Sequence, residues 1–168
     1  MDSEKRKSIM LALEETMIQV DRISTIITDN IMGMGNLNKQ EVALVNDIKK
    51  LKEEYQELVN NYNSAEYEMF EFIRTHPDKL KKHDQLYKKI HDMREKRLEI
   101  IEKIKDKEAT IVSIQIPKQG SGEVQEILDG KYEKMKKKLE SARKNFPDLY
   151  NEVRRKIASK VDDHLPSA

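Results

Sequence analysis

Residues 38–74 read NKQEVALVNDIKKLKEEYQELVNNYNSAEYEMFEFIR, and this stretch indicates a long amphipathic helix. Its apolar residues recur at alternating spacings of three and four positions, as in the heptads of a coiled coil. They are Leu44, Ile48, Leu51, Tyr55, Leu58, Tyr62, Ala65, Met69 and Phe72. Asn38 is suited to cap the first turn, and the side chain of Glu41, three residues later, can reach back to Asn38. We therefore predict one continuous helix that packs against a second helix along this row of side chains.

The same spacing resumes after a short break at Thr75-His76-Pro77-Asp78. Pro77 disfavours helical geometry at His76 but suits the first turn of a new helix. Two long helices joined by so short a connection are expected to fold back as an antiparallel hairpin. The alternative is one long helix that is kinked at the proline. The predicted seam consists of Leu44, Ile48, Leu51, Tyr55, Leu58, Tyr62, Met69, Phe72, Leu86, Ile90, Met93, Ile100, Ile104 and Ile111.

Polar residues interrupt the second half of this seam. Arg97 and Lys107 occupy two seam positions. Charged residues there either fix the register of the helices, at some cost in stability, or extend their long side chains out to water. The beginning of the third helix, Lys79 to His83, is polar, and we expect it to be splayed or to face solvent.

Helices are also predicted on both sides of the hairpin, which makes the fold all-α. An N-terminal helix from about Ser3 to Met32 has a wide apolar face and ends before Gly33. Residues 1–116 are predicted to form the coiled-coil hairpin region, and residues 117–122, which include Gly120-Ser121-Gly122, a linker. Residues 123–168 are predicted to form a short, basic C-terminal helical pair with a break near Pro147.

The composition excludes several classes of protein. The 168 residues are 38% charged and contain no Cys, so the chain has neither disulfides nor thiolate metal sites. The 32 basic and 31 acidic residues give a net charge of +1. The longest apolar run is too short to cross a bilayer, which takes about 20 residues. The lack of Cys is consistent with a cytoplasmic or nuclear location, which is where we expect the protein.

Catalytic and metal-binding patterns are also lacking in the sequence. It contains no Gly-x-Ser-x-Gly elbow, no phosphate-binding Gly-rich loop and no His-Glu-x-x-His motif. His91 and Glu95 have the spacing of two ligands on one helix face, but two ligands do not make a site. We therefore expect no enzymatic activity, no cofactor, no metal and no small-molecule substrate.

Two functions remain. The first is a scaffold or adaptor subunit that associates with another helical chain or with itself. It is based on apolar side chains beyond those of the seam, which must be buried against another surface. These are the extra isoleucines of the first helix and the apolar residues at every fourth position of the last helix. The alternative is a module that binds an anionic surface, either nucleic acid or membrane. Its candidate contacts are the basic residues Lys131, Lys134, Lys136, Lys137, Lys138, Arg143 and Lys144.

Overall fold

The computed structural model describes residues 2–32, 37–115 and 123–164, and all regular structure in these ranges is helical. There are five helices in this part of the chain: α1 (Ser3–Met32), α2 (Lys39–Thr75), α3 (Leu80–Gln115), α4 (Glu123–Asn145) and α5 (Pro147–His164). The all-α prediction is confirmed. The predicted roles of Gly33 and Gly120-Ser121-Gly122 lie outside the described residues.

The antiparallel pairing of α2 and α3 confirms the predicted hairpin and excludes the kinked helix. His76 ends α2 with a non-helical backbone (φ −131°, ψ 63°), as expected for a residue before proline. Pro77 and Asp78 lie in the turn, and α3 begins at Leu80 rather than at the proline. The connection is therefore short enough to bring the two helices side by side.

The expectation that Lys79 to His83 faces solvent is wrong for His83. This side chain is buried, and its Nε2 lies 2.8 Å from the carbonyl oxygen of His76. Its ring also meets Phe72 edge-on, and Phe72 stacks on His76 with ring centroids 4.5 Å apart. The three rings close the end of the hairpin, so the two helices stay paired up to the turn.

The start of α2 follows the predicted cap only in part. The Asn38 side-chain oxygen accepts a hydrogen bond from the Glu41 amide at 2.8 Å, which satisfies one free donor of the first turn. The Glu41 side chain, however, is fully buried, and its carboxylate accepts a hydrogen bond from Gln115 of α3. This polar contact joins the first turn of α2 to the last turn of α3.

The apolar core lies where the other helices meet the hairpin. Its central cluster joins α2, α3 and α5 through Tyr55, Val59, Leu98, Ile100, Ile101 and Ala158. A second cluster joins α1 and α5 through Leu13, Met17, Leu149, Val153 and Ile157. Two more place Ile31 of α1 against Ile48 and Ile111, and Tyr132 of α4 against Val20 and Val112.

The apolar row of α5 is covered by α1 of the same chain. The expectation that the apolar row at every fourth position of α5 needs a partner is wrong for Leu149, Val153 and Ile157, because these side chains are buried against α1 within the chain. Val161 packs against the same cluster, and Leu165 lies outside the described residues. The apolar row of α5 is therefore used inside the molecule, and a partner must bind a surface other than this row.

Candidate functional site

A buried polar cluster fixes α5 on the hairpin. The carboxylate of Asp162, on α5, accepts two hydrogen bonds from Arg97 of α3, at 2.7 and 3.1 Å, and a third from the Tyr55 hydroxyl of α2. The Arg97 and Asp162 side chains are only 12% and 3% exposed. Arg97 also lies over the ring of Tyr62, at 4.9 Å from its centroid. The seam arginine therefore binds a third helix instead of extending to water.

Burial and the bond to Asp162 also change the chemistry of Tyr55. Desolvation is the larger cause, and together with the hydrogen bond to Asp162 it raises the pKa of the Tyr55 phenol. The hydroxyl therefore stays protonated and keeps donating its hydrogen bond at neutral pH. The arrangement is a structural polar network, because all three side chains satisfy one another.

The arginines and lysines of α5 are paired with carboxylates. Arg154 bonds Asp106 at 2.6 Å, and Arg155 bonds Glu95 at 3.0 Å and Glu102 at 3.2 Å. Lys156 and Lys160 both reach Glu14 of α1, at 3.1 and 2.5 Å. The hydrogen bond from Lys160, with a further one from Lys156, lowers the pKa of Glu14. The positive charge of α5 is thus neutralised within the chain.

The basic face of α4 differs sharply from that of α5. In the described part of the chain, no carboxylate lies within ion-pairing distance of its seven predicted anion-contacting residues: Lys131, Lys134, Lys136, Lys137, Lys138, Arg143 and Lys144. Lys136 bonds the Ser113 hydroxyl at 2.7 Å, and Arg143 lies over the ring of Tyr150. The remaining five are exposed lysines. Their charge is therefore available to an external anion.

An open groove runs beside these lysines, between α1 and α4. Its volume is about 470 Å³. The apolar lining includes Ile9 and Leu13 from α1, Leu139 and Ala142 from α4, and Phe146 from the junction between α4 and α5. Lys137 and Lys138 also line it. The groove thus combines an apolar floor with positive charge.

A second, more enclosed cavity of about 220 Å³ lies among α1, α3, α4 and α5. Its lining contains the carboxylates of Asp21, Glu102, Asp106 and Glu140, together with Lys105, Lys136, Arg143 and Arg154. Burial raises the pKa of Asp21 to about 6, although Lys105 nearby opposes the change. Lys105 itself bonds Thr25 at 3.0 Å. The opposite charges are balanced, so the lining selects neither an anion nor a cation.

The far half of the hairpin forms an arm, which we define as residues 63–92. The hydrogen bonds and apolar clusters that join the hairpin to α1, α4 and α5 in the described chain lie on residues 37–59 and 94–114. The rest of the described residues form the base. At about 1.5 Å per residue, the thirteen residues of α2 in the arm extend it by roughly 20 Å.

Four large apolar side chains of the arm are more than half exposed: Tyr67, Phe70, Leu80 and Tyr87. All four lie outside the predicted seam. None of the fourteen seam residues is exposed; Leu44, Ile48, Tyr55, Met69, Ile100 and Ile111 are buried, and Leu51, Leu58, Tyr62, Phe72, Leu86, Ile90, Met93 and Ile104 are half-buried. All fourteen seam side chains are therefore at least partly covered within this chain.

Several polar residues that organise the base carry no signal in the sequence. Asp162 pairs with Arg97, which is 65 positions away in sequence. Glu95 and Glu102 pair with Arg155, which is 60 and 53 positions away. Heptad spacing gives no information about such pairs. Among the residues that the structure describes, no three His, Asp or Glu side chains cluster as metal ligands, and Glu95 bonds Arg155.

Comparisons with known proteins give no match for this chain, whether with family models, with curated proteins or with solved structures. In the ranges that the coordinates describe, no helix is both long and apolar enough to cross a membrane.

Proposed function

We propose that this protein is a non-catalytic helical adaptor that binds another helical chain through its arm. The observation that carries the proposal is the exposure of Tyr67, Phe70, Leu80 and Tyr87 on a segment that the base leaves uncovered. Aromatic residues are enriched at protein interfaces, where a few of them supply most of the binding energy.

The division between arm and base supports this role. The base is held by four apolar clusters and by the buried bonds of Asp162, so it positions the hairpin rigidly. The arm continues α2 for roughly 20 Å past these contacts. Rigid presentation reduces the entropy that is lost when a partner binds.

The test is a matched pair of variants in quantitative affinity capture. In the arm variant, Tyr67, Phe70 and Tyr87 are each replaced by Ser. Because these side chains are exposed, the fold should be retained, which circular dichroism checks. We expect recovery of a helical partner, cross-linked in native extract and identified by mass spectrometry, to fall about tenfold or more.

The control variant is Leu11→Ser/Ile26→Ser, which removes two exposed apolar side chains of α1 in the base. It should leave recovery unchanged. Self-association is measured in parallel by sedimentation equilibrium, with the same two variants. The proposal is wrong if the arm variant recovers as much partner as the wild-type chain, or if the wild-type chain is monomeric and recovers none.

A further inference from the structure

We propose that the groove between α1 and α4 is a second docking site, which takes an amphipathic helix with an apolar face and acidic flanks. The groove floor is formed by Ile9, Leu13, Leu139, Ala142 and Phe146, and Lys137 and Lys138 stand beside it. This site lies in the base, so it is separate from the arm.

Charge complementarity identifies the acidic character of the occupant. Lys137 and Lys138 are exposed and have no ion pair in the described part of the chain. On α5, by contrast, Arg154, Arg155 and Lys156 are all held by carboxylates of the same chain. An acidic side chain from outside would therefore find cations with which no internal carboxylate competes.

The shape of the groove indicates that its occupant is a helix. Its lining runs from Ile9 to Thr16 on α1 and from Lys137 on α4 to Phe146 just after it, which corresponds to two to three helical turns at about 3.6 residues per turn. Two packed helices with an apolar trough between them bind a third helix by its apolar face, with anchors three and four residues apart. Ala12, which is exposed at the edge of the trough, leaves room for such a helix.

Other occupants fit these features less well. A nucleic acid would use the lysines but not the apolar floor, because its phosphates contact cations. A bilayer requires apolar side chains that protrude, whereas Leu139, Ala142 and Phe146 are half-buried. Two copies joined groove to groove would bring four lysines into one interface, and the groove lining supplies no carboxylate to pair with them.

The experiment measures fluorescence anisotropy of a labelled 20-residue helical peptide, with leucine along one face and glutamate on both flanks, titrated with the full chain. A second peptide has lysine in place of each glutamate. We expect saturable binding of the acidic peptide and binding of the lysine peptide that is about tenfold weaker or absent. Equal binding of the two peptides would overturn the proposal.

Protein variants locate the site. Lys137→Glu/Lys138→Glu should weaken acidic-peptide binding about tenfold or more, and Ala12→Gln should weaken it without any change of charge. The matched control is Lys88→Glu/Lys89→Glu, which makes the same charge change at two adjacent exposed lysines of the arm. It should bind the peptide as the wild-type chain does. Circular dichroism melting confirms that each variant is folded.

Further titrations test the other possible occupants of the groove. The same titrations are run with a 20-base-pair DNA duplex and with vesicles of phosphatidylcholine and phosphatidylserine. The proposal would be overturned if the chain bound the duplex or the vesicles but not the acidic peptide, and if Lys137→Glu/Lys138→Glu abolished that binding. The Tyr67→Ser/Phe70→Ser variant should still bind the peptide, so failure at the arm and failure at the groove give different results.

Discussion

Asp162→Ala is expected to lower the free energy of unfolding by about 3 kcal/mol, at the lower end of the roughly 3–5 kcal/mol for a broken buried ion pair. The substitution leaves Arg97 with a charge that is only 12% exposed and has lost its carboxylate. It also removes the acceptor of the Tyr55 hydroxyl. The loss should be smaller than the upper limit because Arg97 can move its guanidinium toward water. Chemical denaturation at pH 7 measures it.

The matched control is the neighbouring residue. Asp163 pairs with Arg94 at 3.2 Å, but its side chain is 61% exposed. Because exposed ion pairs contribute about 0–1 kcal/mol, Asp163→Ala should have little effect. In a double-mutant cycle, Arg97→Met should remove most of the cost of Asp162→Ala, since no buried charge then remains unpaired. Additive effects, or equal losses for the two aspartates, would show that Asp162 does not fix α5 in this way.

Asp21→Asn is expected to stabilise the protein at pH 7 by about 1–3 kcal/mol. Burial raises the pKa of Asp21 from 3.8 to about 6, so ionisation costs free energy in the folded state. A difference of about two pKa units corresponds to at most about 3 kcal/mol. The charged and titratable groups that face this carboxylate are Lys105, Asp106, Glu108 and Arg154. Asparagine keeps the shape of the side chain but carries no charge.

The stability difference between Asp21→Asn and the wild type should depend on pH. Below pH 3.8 the carboxyl is protonated in both the folded and the unfolded chain, so the variant and the wild type should be equally stable. Between pH 3.8 and about 6 the folded wild type binds more protons, and its stability falls relative to the variant as the pH rises. The difference should be constant above about pH 7. Asp29→Asn, at an exposed position of the same helix, is the control. A difference that does not change with pH would contradict the account.

The hairpin was predictable because its cause is local in the sequence. Nine apolar positions between Leu44 and Phe72 share one helix face, and Pro77 stops the helix within a few residues of its observed end at Thr75. Such spacing predicts which face is buried. It does not predict which helix covers that face, so the apolar row of α5, which packs on α1, has the same pattern as a surface for a partner.

The candidate sites depend on contacts that no sequence pattern contains. The sequence shows basic residues in both α4 and α5. Only the packing of the helices shows that Lys156 is paired with Glu14 while Lys137 and Lys138 have no such partner in the described chain. The exposed Tyr67 and Tyr87 were equally hard to recognise, because an isolated tyrosine outside a heptad seam carries no pattern.

Native-state hydrogen exchange of the full chain, resolved by residue, tests whether the base fixes one half of the hairpin and leaves the other half as a free arm. We expect amides of residues 44–59 and 95–112 to exchange only through global unfolding. Amides of the arm, residues 63–92, should exchange through local opening at a clearly lower free energy, because α1, α4 and α5 do not cover them. Equal protection along the whole hairpin would contradict the account.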